Sequence, residues 1–134
     1  MQYSVYSPDR SIVLHVEKNK GLTRMGGPKI DLTGAHFVAI TDDGLYVAFL
    51  RKHSITDATM VEIYSAEADQ WRRVAEMVLS YTPTAINGHP TLLWESQDKS
   101  IPRLIIQTNR GTVKVRRFGM HWVLSLHLPA SAAS

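Results

Sequence analysis

Between residues 103 and 128 apolar and polar side chains alternate almost without a break, and a period of two points to pleated strands. Leu104 and Ile106 fall on one side of RLIIQTN, and Val113 and Val115 on one side of TVKVRR. In MHWVLSLHL, Trp122, Leu124, Leu126 and Leu128 oppose His121, Val123, Ser125 and His127. Asn109-Arg110-Gly111 and Phe118-Gly119 separate these runs, and glycine reaches positive φ without a steric cost. The C-terminal third therefore reads as antiparallel hairpins.

Similar signals occur upstream. VYSPDRSIVLHV reads as two short strands around Pro8-Asp9, and HFVAITDDGLYVAFL as a hairpin around Asp43-Gly44. Residues 45–50 are apolar on both faces, which places that strand centrally. MVEIYS (60–65) and TLLWES (91–96) are further strands. Residues 18–34 hold four glycines and a proline with no periodicity, and read as a long connection.

One segment changes period. In SAEADQWRRVAEMVLSY, Ala68, Trp71, Val74, Ala75, Val78 and Leu79 share a helical stripe, while a strand reading mixes Arg73 with Trp71 and Glu76 with Val74. Ser65 can cap its start and Pro83 follows its end, so an amphipathic helix is expected over residues 66–80. VEIYSAEADQW is also similar, over about a dozen residues, to the strand-turn-Trp phrase of a kelch propeller blade. The double glycine of such blades is not placed to match, and no family is assigned. The expected fold is mainly β: an antiparallel sandwich or open barrel of roughly eight or nine short strands with that helix over the sheet. The 134 residues suit one domain, 1–128, with 129–134 as a tail.

The absence of cysteine excludes disulfides and thiolate chemistry. MQYSVYSPDR contains no apolar leader core, and no apolar run approaches the ~20 residues of a membrane helix. A soluble, cytoplasmic protein without a membrane partner is the expectation.

Charge is distributed unevenly. Residues 1–98 carry nine Lys/Arg against twelve Asp/Glu, a balance of −3, and residues 99–134 carry six Lys/Arg and no acid, a balance of +6. The hairpin 103–117 places Arg103, Arg110, Lys114 and Arg116 on its polar face, with Arg117 at the next turn. Lys18, Lys20, Arg24 and Lys29 add bases in the long connection. Such side chains can attract an acidic partner, and charge also keeps sheet edges from aggregating.

No reactive motif stands beside them. His121 and His127 share a strand face but lie about 20 Å apart at ~3.3 Å per residue, too far for one metal ion. Neither GxxxxGK[ST] nor GxGxxG occurs, and Asp42-Asp43 is explained by its turn. His53 and Asp57, with Ser54 adjacent, are the sole candidates for an acid–base pair in a small hydrolase. Trp71, Trp94 and Trp122 lie on apolar faces, which leaves few aromatic platforms for nucleic acid. The leading expectation is a non-catalytic adaptor, inhibitor or immunity-type domain that uses no cofactor or metal and docks another, acidic protein through the basic hairpin. A nucleic-acid or phosphate-binding protein is the alternative.

Overall fold

The computed structural model describes residues 2–17, 21–23, 29–30, 32, 34–68, 70–95 and 102–129. They form three antiparallel sheets, each a meander of four strands joined in chain order. The first contains β1 (Gln2–Tyr6), β2 (Val13–Glu17), β3 (Gly21–Thr23) and β4 (Lys29–Ile30). The second contains β5 (Ala35–Ile40), β6 (Tyr46–Lys52), β7 (Thr59–Glu67) and β8 (Gln70–Leu79). The third contains β9 (Leu92–Glu95), β10 (Arg103–Thr108), β11 (Gly111–Phe118) and β12 (His121–His127).

The mainly antiparallel β expectation holds, with twelve strands among the described residues rather than eight or nine. Two of them, β3 and β4, lie inside the stretch read as a plain connection. The proposed tail falls largely on residues 130–134, outside the described residues.

The middle sheet is packed on both faces. Val38, Ile40, Val47 and Phe49 point to one side and meet Leu14, Val16, Ile30 and Leu32 of the first sheet and the segment after it. Ala39, Ala48, Leu50, Val61 and Ile63 point to the other side and meet Leu92, Trp94, Leu104, Ile106, Val113 and Val115 of the third. This is why residues 45–50 carry no polar face. The Trp94 indole N–H donates to the Ala39 carbonyl at 3.2 Å, and its ring meets Tyr46 and Trp122, tying the second and third sheets together.

The opening strands β1, β5 and β9 lie side by side, with β5 touching both of its counterparts. Successive four-stranded meanders packed face to face, first strands at a common edge, resemble adjacent blades of an open propeller. The first hairpin in each of the first two sheets is built alike. Ser7 and Thr41 each accept a turn hydrogen bond at their carbonyl, from the Arg10 and Gly44 amides at 2.9 Å. Their hydroxyls donate to Asp9 and Asp43, and those carboxylates accept the Ser11 and Leu45 amides. Arg10 and Gly44 occupy the same left-handed position, at φ 64° and 72°. The string SPDRSI that builds the first of these turns recurs as SQDKSI at 96–101, which lies outside the described residues.

The helix expected over residues 66–80 does not form. The segment is the second half of a β7–β8 hairpin that turns at Ala68, φ 47°. A bulge explains the misleading period. Ile63 pairs with Ala75 and Tyr64 with Arg73, so Val74 is the extra residue. An inserted residue exchanges the two faces of a strand. Trp71 packs with the first core, whereas Ala75, Met77 and Leu79 belong to the second. The resulting spacing imitates a helical stripe. The other edge strand, β5, carries a comparable irregularity between His36 and Ala39, with Phe37 at φ 54°.

Candidate functional site

The register of the third sheet places the predicted basic residues. Arg103 pairs with Arg116 and Ile105 with Lys114 between β10 and β11, while Leu93 opposite Ile105 and Val123 opposite Arg116 extend the rows. The inward residues of these strands fill the core, so Arg103, Lys114 and Arg116 share the outer face with Leu93, Ile105 and Val123. Two cations directly opposite each other, Arg103 and Arg116, repel unless a counter-charge is close. Glu95 provides one, 3.7 Å from the Arg103 guanidinium. Lys114 and Arg116 form no ion pair with a carboxylate among the described residues, and Arg116 instead lies 5.5 Å over the Phe118 ring.

The other sequence candidates do not join this face. Arg110 sits in the β10–β11 turn, its guanidinium 5.8 Å from the Tyr81 ring. Arg117 pairs with Trp122 and therefore points to the opposite side, where it donates to the Gly119 carbonyl at 2.8 Å and the Tyr46 hydroxyl at 3.3 Å. Lys18, Lys20 and Arg24 lie outside the described residues; Lys29 is placed only as part of β4. The expected group thus narrows to Arg103, Lys114 and Arg116.

His53 and Asp57 shape a loop. His53 Nδ1 accepts the amides of Ile55 and Thr56 at 3.2 and 3.3 Å, and the Asp57 carboxylate lies 3.7 Å from Lys52 Nζ. The two side chains do not hydrogen-bond each other; His53 is half-buried and Asp57 exposed. A base needs an orienting partner for nucleophile activation, and this pair lacks the required contact.

Two features escaped the sequence reading. Glu62 is 5% exposed on the first-core face, where it accepts the Tyr64 hydroxyl at 3.3 Å and pairs with Arg51 at 3.3 Å and Arg73 at 3.8 Å. Burial, and then the Glu62 charge, push the Tyr64 phenol above its ordinary value. This is a structural network, since both cations and the phenol serve to satisfy the buried carboxylate.

The second feature is a groove of about 700 Å³ along β5, between β1 and β9. Arg10, His36 and His89 contribute its ionisable side chains, and Tyr6, Phe37 and Trp94 its rings. Asn87 and Gly88, at φ 50° and 75°, form a tight turn that delivers His89. The Asn-Gly pair was the available sequence signal for this element.

No protein-family model, curated protein or solved structure matches the chain. Among the described residues no helix is long and apolar enough to cross a membrane.

Proposed function

We propose that this chain is a non-catalytic binding module that docks an acidic protein surface through the outer face of the third sheet. One observation carries the reading: Lys114 and Arg116 stand unneutralised by any described carboxylate beside the Arg103–Glu95 pair, on a face that also offers Leu93, Ile105 and Val123. Apolar contacts ringed by cations suit a protein partner, because the apolar residues supply burial while the charges set orientation and encounter rate. The lack of a side-chain hydrogen bond between His53 and Asp57 supports a binding role over hydrolysis.

Titration with poly-glutamate, used as an acidic polypeptide probe, tests the electrostatic part. Raising salt from ~0.01 M to ~1 M shrinks the screening length from about 30 Å to about 3 Å and should abolish binding. Lys114→Glu/Arg116→Glu should abolish it at low salt. Binding that ignores both changes refutes the proposal, and tighter binding to a DNA duplex than to poly-glutamate selects the nucleic-acid alternative.

A further inference from the structure

We propose that the groove along β5 is a second binding site, for a small amphipathic anion with an apolar or aromatic body and a carboxylate, sulfonate or phosphate head. Among the described residues its lining contains one guanidinium, two imidazoles and no Asp or Glu. That lining is complementary to negative charge, and the surrounding rings and aliphatic side chains suit an apolar body. The volume of about 700 Å³ falls within the range of small-molecule sites.

The backbone carries an independent sign. Arg10, Phe37 and Asn87 adopt left-handed φ of 64°, 54° and 50°; the first two line the groove and the third adjoins Gly88, which also lines it. Non-glycine residues in that region concentrate at ligand sites, where surrounding structure holds them in place. Arg10 is the most telling. The matching position of the sister turn is Gly44, so the turn itself requires no side chain here. Arg10 nevertheless occupies it, with its guanidinium 4.7 Å over the Tyr6 ring at the groove. A cation spread across an aromatic face is a suitable anchor for a planar anionic head. The irregularity in β5 places the exposed Phe37 at the same opening.

The sister turn also supplies the variant. Arg10→Gly removes the cation while leaving a residue that accepts the backbone angle, so the unfolding midpoint should hold or rise. The probes are 1-anilinonaphthalene-8-sulfonate and its neutral counterpart N-phenyl-1-naphthylamine, titrated into native protein that unfolds cooperatively in urea. The sulfonate probe should bind one-to-one, and Arg10→Gly should weaken it ~10-fold or more while the neutral probe changes little. Ala85→Trp, at an exposed lining position, should block both probes. Unchanged sulfonate binding in Arg10→Gly overturns the proposal. So does loss of that binding in Lys114→Glu/Arg116→Glu, which would assign the probe to the outer sheet face. Absence of saturable binding to the parent protein also overturns it.

Discussion

Trp94 offers the sharpest test of how the second and third sheets are held together. It is 1% exposed, reaches the Ala39 carbonyl on β5 with its indole N–H, and forms an aromatic cluster with Tyr46 and Trp122. Truncating a buried tryptophan to alanine costs about 3–5 kcal/mol, from lost transfer free energy and the cavity left behind. A domain of this size has about 5–15 kcal/mol in total, so Trp94→Ala removes a large fraction of its stability. With a urea slope of about 2 kcal/mol/M, a loss of about 4 kcal/mol lowers the unfolding midpoint by about 2 M. Trp94→Phe retains a ring and loses the hydrogen bond, for a cost of about 1 kcal/mol from that bond and a further amount from reduced volume. Trp122→Ala, at the partly buried rim of the same cluster, should fall below Trp94→Ala. Urea unfolding followed by far-ultraviolet circular dichroism measures all three without relying on the replaced fluorophore. A midpoint shift under ~0.5 M for Trp94→Ala at unchanged slope would refute the packing argument.

Other perturbations report on separate elements. Gly111 sits at φ 147°, where an added Cβ would lie 2.5 Å from the His127 carbonyl oxygen, so Gly111→Ala should destabilise the β10–β11–β12 ladder by about 1–3 kcal/mol in a urea titration. The Asp9 carboxyl is held down to about 2 from 3.8, first by its hydrogen bond from the Ser11 hydroxyl. Its stabilising contribution is therefore full above the unfolded value and disappears as pH falls from about 4 to about 2; Asp9→Asn should remove that part of the acid dependence measured by thermal unfolding. Glu62→Gln leaves Arg51 and Arg73 facing a neutral group and should cost about 1–3 kcal/mol, the lower end following if solvent screens Arg73, which is about half exposed. A Glu62→Gln protein as stable as the parent would contradict the network's structural role.

The strands around residues 103–128 were legible because alternation and turn residues agree and no irregularity intervenes. Residues 45–50 announced their two-sided burial directly, through an apolar run. Residues 66–80 misled because the bulge at Val74 combined two period-two segments of opposite phase into an apparent helical stripe. Periodicity cannot reveal an inserted residue until the partner strand is known. Lys114 and Arg116 were assigned to the correct face by alternation alone, whereas Arg117 points away because the alternation continues to the end of β11. The groove was invisible in sequence because Arg10, His36 and His89 come from three separate elements brought together by the packing of β1, β5 and β9. The likeness of the Ser-x-Asp and Thr-x-Asp turns escaped the sequence reading and emerges from their shared hydrogen bonding.

Hydrogen exchange of the free protein, resolved by residue, tests most directly the burial of one sheet between two others. The account predicts the slowest amides in β6 and β7, the interior strands of the doubly covered sheet, with faster exchange in β1 and β12 at sheet edges. Fast exchange throughout β6 and β7 beside a protected third sheet would contradict it.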